Sequence, residues 1–285
     1  MTPQAPQLTT EPGTLPHALT FDIEDYFQVS NFDSIVEFRE WDTFESRVER
    51  NTEKILEIIS DHGVLATFFV LGWVAEKYPG LVRQITEQGH EVATHSYRHR
   101  LVYELGPEGF REDLRRSIGV IEDACGQKVV GHRAPSFSIT KDSLWALDVL
   151  QEEGLKYDSS IFPIRHPRYG IPDAPRGPHE IKPGFWEFPM STVRVGGLNF
   201  PVAGGGYFRL YPLRVTKWAM RLRSQSRLPS VIYLHPWEFD PDQPRLSASL
   251  QARFRHYINL ARTEKRLREL CRTESFAPLA SWLGA

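Results

Sequence analysis

Apolar runs typical of buried strands alternate with segments of helical periodicity along most of the sequence. The runs HALTFDI (17–23) and VLATFFVLG (64–72) are separated by a segment in which Val48, Ile55 and Ile59 fall on one side of a helix. Two strands joined by a helix can pair in parallel, because parallel pairing needs a crossover connection of about this length. The alternation therefore predicts an α/β protein built on a parallel sheet or barrel.

The same alternation continues towards the C-terminus. Further extended runs are HEVATH (90–95), KVVGHRAP (128–135), LKYDSS (155–160), FWEFPM (185–190), STVRVGG (191–197) and SVIYLH (230–235). Helices are expected near 107–125, 140–153, 212–225 and 249–271. The segment 161–185 is rich in proline, glycine and charge, and is expected to be a long loop. No linker divides the chain, so we expect a single domain.

The composition excludes several classes of protein. A formal net charge of −2 and a pI near 6.6 give no basic surplus, so nucleic acid is not an expected partner. The two cysteines, Cys125 and Cys271, form neither a disulfide framework nor a zinc-finger spacing. No apolar run is long enough to predict a membrane span. Residues 1–16 lack the features of a signal peptide and are expected to be a disordered leader, which makes the cytoplasm the expected location.

Polar residues of catalytic type fall at the ends of the predicted strands or just beyond them. They are Asp22, Glu24, Asp25, His95, His99, Arg133, Asp158 and His235. In a β/α barrel the carboxyl ends of the strands form one rim, and ligands bind at that rim. We therefore expect these side chains to approach one another in the folded protein.

Two features of these residues indicate a metal. The stretch GHEVATHSYRH holds His95 and His99 four residues apart, which would place both imidazoles on one face of a helical turn. The stretch TFDIED adds Asp22, Glu24 and Asp25 to an apolar strand, and buried carboxylates need a cation nearby. The alternative is that the strand simply ends at Ile23 and the acids face water, and that the two histidines are surface or capping residues.

Five short motifs, TFDIED, HSYRH, RAPSF, YDSS and LHPWEFD, occur in this order. They resemble the five motifs of the polysaccharide deacetylases, carbohydrate esterase family 4 with the NodB-homology domain. The resemblance covers about residues 17–240 and is strongest to the branch found in exopolysaccharide loci of the PEP-CTERM type. It implies a distorted (β/α) barrel of about seven parallel strands, with residues 241–285 as a helical extension packed on the barrel.

The resemblance also implies catalytic roles. Asp22 would be the general base that takes a proton from the attacking water, and Arg133 would pair with it. His235 would be the general acid that protonates the leaving amine. Asp158 would orient His235 or support Arg133. The backbone N–H that follows Pro135 would help to bind the oxyanion.

The metal ligands implied by the resemblance are His95, His99 and a carboxylate of the first motif. The commonest family pattern there is Thr-Phe-Asp-Asp, but Ile23 occupies the usual ligand position in this chain. The third ligand is therefore Glu24 or Asp25. Glu24 is favoured because residues two apart on a strand point to the same side, here the side of the general base. Zinc is the first expectation for one carboxylate and two imidazoles, and cobalt, nickel or iron would also fit.

The substrate implied by the resemblance is an N-acetylated oligo- or polysaccharide. Leu234 would contribute to a pocket for the acetyl methyl group, and Trp186, Tyr207 and Trp237 are candidate surfaces for stacking on sugars. The expected reaction is removal of N-acetyl groups from hexosamine residues of an exopolysaccharide or its lipid-linked precursor. A cytoplasmic location favours the precursor, presented at the inner membrane face in a transient association.

Two alternatives stay open at this stage. Relatives with a spaced DxE first motif hydrolyse small cyclic amides or ureides, as allantoinases do, and a small closed pocket would favour that reading. A non-catalytic carbohydrate-binding protein is the second alternative. The combined presence of Asp22, His95, His99, Arg133 and His235 weighs against a decayed site.

Overall fold

The computed structural model describes residues 16–284, so the leader predicted for residues 1–16 lies almost wholly outside the described part. Ten strands are present there: β1 (Ala18–Ile23), β2 (Thr67–Val70), β3 (Glu91–Thr94), β4 (Gly131–His132), β5 (Tyr157–Asp158), β6 (His179–Lys182), β7 (Phe185–Glu187), β8 (Thr192–Val195), β9 (Leu198–Pro201) and β10 (Val231–Leu234).

The α-helices of the described residues lie between these strands and after the last one. They are α1 (Val48–Ser60), α2 (Gly72–Lys77), α3 (Pro79–Glu87), α4 (Val102–Cys125), α5 (Trp145–Glu152), α6 (Gly205–Leu210), α7 (Leu213–Gln225), α8 (Leu250–Tyr257) and α9 (Thr263–Thr273). Short 3₁₀ helices occupy Phe38–Thr43, Pro135–Phe137, Lys141–Ser143, Pro236–Phe239, Leu260–Arg262 and Leu279–Gly284. None of the helices within residues 16–284 has the length and apolar character needed to cross a membrane.

Eight strands form one curled sheet in the order β10-β1-β2-β3-β4-β5-β7-β6. Seven of them run parallel, and β6 pairs antiparallel with β7 at one edge. Strands β8 and β9 form a separate hairpin. The predicted fold class, a distorted β/α barrel of about seven parallel strands in a single domain, is confirmed.

The central strands are covered on both faces, as parallel sheets are. Every residue of β1 is buried, and alternate residues point to opposite sides of the sheet. Leu19, Phe21 and Ile23 pack into the larger apolar core together with the helices. Thr20 and Asp22 consequently point to the other side of the sheet, towards its concave face.

Two local expectations were wrong. The expected loop 161–185 contains β6, an edge strand that was not predicted because the segment is rich in proline, glycine and charged residues. The expected helix 249–271 is two helices, α8 and α9, because the chain adopts a left-handed backbone conformation at Asn259 (φ 54°). The Asn259 amide donates a hydrogen bond to the Arg209 carbonyl oxygen (3.0 Å), a distant contact that helical periodicity does not reveal.

Gly204 fixes the start of α6 against β10. Its φ of 141° and ψ of −152° are accessible almost only to glycine, and a β-carbon would lie 2.0 Å from the Tyr233 carbonyl oxygen.

We predict that Gly204→Ala lowers the free energy of unfolding by roughly 1–3 kcal/mol, as overpacking does. The matched control is Gly119→Ala in α4, where a new β-carbon meets open space. Denaturant unfolding should show a control at least as stable as the parent, and an unchanged Gly204→Ala midpoint would contradict this role.

Candidate active site

The site lies at the carboxyl ends of neighbouring parallel strands. Asp22 is in β1, His95 directly follows β3, Arg133 follows β4, and His235 follows β10. Because β10, β1, β2, β3 and β4 are consecutive in the sheet, their carboxyl ends meet at one edge. The side chains of these four residues are all buried or nearly so.

Glu24, His95 and His99 form the only group of at least three His, Cys, Asp or Glu residues within 16–284 that is arranged to hold a metal ion. One potential ligand atom from each lies within 4.8 Å of the others, and all three side chains are buried. Glu24 Oε2 lies 2.8 Å from His99 Nε2. The His95 Nδ1–H donates to the Arg133 carbonyl oxygen (2.8 Å), which leaves the Nε2 lone pair of His95 available.

The donor set fits a divalent cation. A carboxylate and two imidazoles are a common set of three protein ligands in catalytic zinc sites, where the remaining position is open. The buried Glu24 Oε2 faces His99 Nε2 at 2.8 Å, and a buried carboxylate costs free energy unless a cation or hydrogen bonds compensate for its lost hydration. A bound cation would remove that cost for the carboxylate.

The loop that carries His99 is not the helical turn that the spacing suggested. Ser96 and His99 both have a left-handed backbone conformation, with φ of 64° and 55°. The loop is held by hydrogen bonds from the Gly72 N–H to the Ser96 carbonyl oxygen (2.9 Å) and from the Tyr97 N–H to Asp113 (2.7 Å). These contacts compensate for the backbone strain and bring the two imidazole rings to a centroid separation of 5.3 Å.

Asp25, the alternative ligand, points away from this cluster. Its carboxylate accepts hydrogen bonds from the N–H groups of Arg47 (2.6 Å) and Val48 (3.1 Å) at the start of α1, and from the Ser46 hydroxyl (2.8 Å). The N–H of Tyr26 occupies its other oxygen (2.9 Å). Of the two acids left open by the sequence, Glu24 is in the cluster, and the placement of Asp25 among the metal ligands is not supported.

Asp22 and Arg133 form a buried ion pair. Arg133 Nη1 donates to Asp22 Oδ1 (2.7 Å) and to the Thr20 hydroxyl (2.7 Å). The remainder of the guanidinium group donates to the carbonyl oxygen (3.1 Å) and the hydroxyl (3.0 Å) of Ser159 and lies 4.0 Å from the ring centroid of Phe69. The Asp22 Oδ2 atom is not engaged by Arg133, and Asp22 contributes to the cavity wall.

His235 faces this pair from the neighbouring strand. Its Nε2 lies 3.5 Å from Glu24 Oε1 and 3.8 Å from Asp22 Oδ2, and its Nδ1 lies 2.6 Å from Glu238 Oε1. Burial opposes protonation of the ring, but the hydrogen bond to Glu238 and the charge of Glu24 outweigh burial and raise the pKa of His235 to about 9. The Nε–H of Arg209 donates to the other oxygen of Glu238 (3.1 Å).

The contacts assign the orientation of His235 to Glu238 rather than to Asp158. Asp158 accepts hydrogen bonds from His132 Nδ1 (2.7 Å) and from the N–H and hydroxyl of Ser160 (3.1 and 2.7 Å). It contacts neither His235 nor Arg133, because its neighbour Ser159 is the residue that faces Arg133. The predicted role of Asp158 is therefore corrected. Glu238 was detectable in the sequence only as an acid three residues after His235, which is one turn of the 3₁₀ helix that begins at Pro236.

A cavity of ≈ 620 Å³ opens above these residues. Its lining includes the acids Asp22, Glu24 and Glu238 with His99 and His235, the aromatic residues Phe137, Tyr169, Tyr207, Tyr233 and Trp237, and the residues Leu210, Phe254, Arg168 and Arg255. Leu210 and Phe254 are 48% and 61% exposed, so the cavity reaches the protein surface.

Of the predicted sugar-stacking residues, Tyr207 and Trp237 line the cavity and Trp186 does not. Trp186 lies in β7 and packs against Phe188 in a smaller apolar core. The Trp237 side chain is buried and its ring stacks on His235 (5.1 Å between centroids) and on His256 (4.0 Å). Trp237 therefore offers no free stacking face, and its indole N–H donates to Glu24 Oε1 (3.3 Å) instead.

One further expectation about the wall needs correction. Leu234 is fully buried in the larger core, because alternate residues of β10 point to opposite sides and Tyr233 and His235 take the cavity side. Pro135 itself is buried and does not line the cavity, but the next residue, Ser136, whose N–H is the one expected to bind the oxyanion, does. Ser136 has a left-handed φ of 51°, which places this turn against the site.

The site places three residues that could hold a metal ion beside a carboxylate and an imidazole, which is an arrangement suited to hydrolysis. Sequence models of two families match the chain. Residues 18–157 match polysaccharide deacetylase, and residues 159–284 match a domain of unknown function (DUF3473). Residues 18–157 are thus a polysaccharide deacetylase domain of carbohydrate esterase family 4, and the second family forms the C-terminal region.

Similar proteins have been named as deacetylases. A peptidoglycan-N-acetylglucosamine deacetylase of Bacillus cereus is 28% identical over 120 residues, which cover 38% of this chain and 44% of that protein. A chitooligosaccharide deacetylase of Rhizobium leguminosarum bv. trifolii is 34% identical over 99 residues, which cover 35% of this chain and 43% of that protein. The similarity thus spans less than half the length of these curated relatives.

Solved structures share the fold. A Mycobacterium smegmatis protein described as a polysaccharide deacetylase superposes with a TM-score of 0.64 at 20% identity, over 99% of this chain and 93% of that chain. Peptidoglycan deacetylase PdaC from Bacillus subtilis superposes with a TM-score of 0.51 at 14% identity, over 96% and 92% of the two chains. At these identities the likeness concerns the fold alone.

The boundary between the two matched regions runs through the site. Asp22, Arg133 and the three residues of the metal-type cluster lie in the polysaccharide deacetylase region. His235 and Glu238, together with Tyr169, Tyr207 and the arginines of the cavity wall, lie in the region of unknown function. The second region therefore completes the site.

Glu238 can be tested through the titration of His235. We predict that Glu238→Gln lowers the pKa of His235 from about 9, because the hydrogen bond to a charged carboxylate is the largest influence that raises it. The imidazole would then lose its proton at a lower pH. NMR titration of the metal-free protein measures this directly, with Glu153→Gln as a control that removes a carboxylate engaged by Arg111 and Arg115 far from the cavity. An unchanged His235 titration in Glu238→Gln would rule out the assigned contact.

Proposed function

We propose that this protein hydrolyses the N-acetyl group of a hexosamine residue within a glycan. The observation that carries the proposal is that Asp22 Oδ2 and His235 Nε2 face each other at 3.8 Å beside the cluster of Glu24, His95 and His99. Amide hydrolysis needs a proton acceptor for water and a proton donor for the leaving nitrogen at one reacting carbon. The short separation of these two side chains supports assigning the two tasks to them.

Asp22 is the proposed general base. Arg133 donates a hydrogen bond to one carboxylate oxygen, which fixes the orientation of the group. The other oxygen is left to accept a proton from the attacking water. Loss of that proton allows the oxygen of water to bond to the acetyl carbonyl carbon.

Glu24, His95 and His99 are the proposed ligands of a divalent cation, with zinc as the first expectation and cobalt, nickel or iron as alternatives. When bound, the cation would polarise the carbonyl group and lower the pKa of water. The N–H of His95 directed at the Arg133 carbonyl oxygen fixes the ring for this role. The N–H of Ser136, at the cavity wall, is a candidate for stabilising negative charge on the carbonyl oxygen.

His235 is the proposed general acid. A pKa of about 9 keeps the ring protonated at neutral pH, and Glu238 on Nδ1 leaves the Nε2 proton directed towards Asp22 and Glu24. Transfer of that proton to the amide nitrogen lets the carbon–nitrogen bond break. The products are acetate and the free amine of the sugar.

The shape of the cavity supports a sugar polymer as substrate. Its volume of ≈ 620 Å³ exceeds what a small cyclic amide requires, it reaches the surface at Leu210 and Phe254, and tyrosines line its wall. The two relatives described above are named for N-acetylglucosamine-containing peptidoglycan and for chitooligosaccharide. Among such glycans we propose an exopolysaccharide or its lipid-linked precursor, in line with the branch that the motifs resemble.

The metal ligands can be tested with a matched pair of acids. We predict that Glu24→Ala, like His95→Ala and His99→Ala, abolishes stoichiometric zinc binding, because two remaining ligands hold zinc weakly. Asp25→Asn should retain the metal and instead lower the free energy of unfolding by roughly 0.5–2 kcal/mol, since Asp25 satisfies the first N–H groups of α1. Elemental analysis of dialysed protein and thermal unfolding measure the two effects. The reverse pattern would transfer the ligand role to Asp25.

The proposed roles of Asp22 and His235 can be distinguished with substrates that differ in their leaving group. The activity itself is tested by measuring acetate release from N-acetylglucosamine oligomers. Asp22→Asn should lower turnover by roughly 10²–10⁴-fold on every substrate, while the metal content of the protein stays the same. His235→Ala should be severely impaired on N-acetyl sugars and much less so on aryl acetates, because an aryloxide leaves without protonation whereas an amine does not. Equal losses on amide and ester would refute the role of His235 as an acid.

A further inference from the structure

Two arginines in the cavity wall have no part in the proposed reaction. Arg168 lies in the long loop after β5, and Arg255 lies in α8. Both line the same cavity as Asp22 and His235, and both belong to the region of unknown function. A charged side chain that lines a binding cavity without taking part in the chemistry is a candidate for recognising the substrate.

Neither arginine is paired directly with a carboxylate of the described residues, although the charge of Arg168 acts on Asp33, where it opposes the rise in pKa that burial causes. Several other surface arginines form ion pairs, such as Arg111 with Glu152 and Arg268 with Asp61. Between residues 16 and 284, Arg168 and Arg255 form no salt bridge with any carboxylate. The acids that line the cavity, by contrast, have partners at its floor: Asp22 pairs with Arg133, Glu24 contacts His99 and Glu238 contacts His235. The charges at the floor of the cavity are therefore paired, whereas the two arginines give part of its wall a positive charge.

The positive charge of the two arginines affects the pKa of a neighbouring histidine, His166. His166 stacks on Tyr169 with 3.8 Å between ring centroids, and both line the cavity. Burial lowers the pKa of His166, and the charges of Arg255 and Arg168 lower it further. The two guanidinium groups therefore act on the same part of the cavity although they come from different segments of the chain.

We propose that Arg168 and Arg255 form a subsite for an anionic group, a carboxylate or a phosphate, carried by the glycan next to the reacting N-acetylhexosamine. This inference rests on the proposed deacetylase function and narrows its substrate to acidic glycans. Guanidinium groups match both anions because they can donate two parallel hydrogen bonds to a pair of oxygens. The tyrosines Tyr169 and Tyr207 line the same cavity and would contact the sugar that joins the two subsites.

Recognition within the cavity distinguishes this proposal from adsorption to an anionic membrane. Arg253 provides the comparison, because it is exposed on the same helix as Arg255 and does not line the cavity. A membrane surface would attract both arginines alike, since its potential acts on every exposed cation within a Debye length. A glycan bound in the cavity would be sensitive to Arg255 and indifferent to Arg253.

The kinetic test uses three N-acetylglucosamine substrates: a neutral trimer, an oligosaccharide with a neighbouring glucuronate, and UDP-N-acetylglucosamine as a soluble diphosphate. For the preferred anionic substrate, Arg168→Gln and Arg255→Gln should each raise KM roughly tenfold or more, as loss of a charge-assisted hydrogen bond does, with kcat within about twofold. KM for the neutral trimer should not change, and Arg253→Gln should behave as the parent. Preference for glucuronate or for diphosphate identifies the source of the anion.

A binding measurement separates this inference from the proposed function. Calorimetry on the metal-free protein with a glucuronate-containing oligosaccharide should show affinity in the parent and in Arg253→Gln, and roughly tenfold or greater loss in the Arg168→Gln/Arg255→Gln double variant. Equal affinity in parent and double variant, or equal losses in the control, would overturn the subsite. The subsite would also be overturned if the double variant kept its affinity for the glycan but no longer sedimented with phosphatidylglycerol vesicles. That result would mean that the two arginines bind a membrane surface. If anionic glycans bind as expected but no substrate releases acetate, the deacetylase proposal fails and the subsite stands.

Discussion

The site depends on the buried guanidinium group of Arg133. An unpaired charge in this position would be strongly destabilising, and the protein satisfies it with Asp22, Thr20, Ser159 and the face of Phe69. These contacts join β1, β2 and the end of β5 to the residue that follows β4. The same residue orients His95 through its backbone carbonyl oxygen, so one arginine fixes both the proposed base and a proposed metal ligand.

A second buried arginine ties the C-terminal region to the site. Arg209 donates to Glu238, which in turn accepts from His235, and it also donates to the carbonyl oxygens of Arg255, His256 and Ile258 at the end of α8. The proposed acid is therefore positioned by a network that is confined to the region of unknown function. Neither of the two matched family regions contains the whole site, and β10, the strand before His235, pairs with β1 of the other region.

Much of the fold and part of the site could be predicted from the sequence. The parallel direction of the strands follows from the alternation of strand and helix patterns in the sequence. Asp22, His95 and His235 are then expected at one rim, because the carboxyl ends of parallel strands share one edge of the sheet. Glu24 was favoured over Asp25 by strand alternation alone. The partner of His235 was not predictable, because Asp158 and Glu238 are both acids near a strand end and only the packing of the chain decides which one reaches the imidazole.

The sequence by itself determined the β/α alternation and the kinds of side chain available at the strand ends, since both are set by spacing over a few residues. The tertiary structure decided which side chains meet. Arg133 and Asp22 are 111 residues apart, and the indole of Trp237 reaches Glu24 across 213 residues. It also decided that the ring of Trp237 is buried against His235 and His256. Contacts between residues so far apart in the sequence depend on how whole helices and strands pack, and local sequence patterns do not specify that packing.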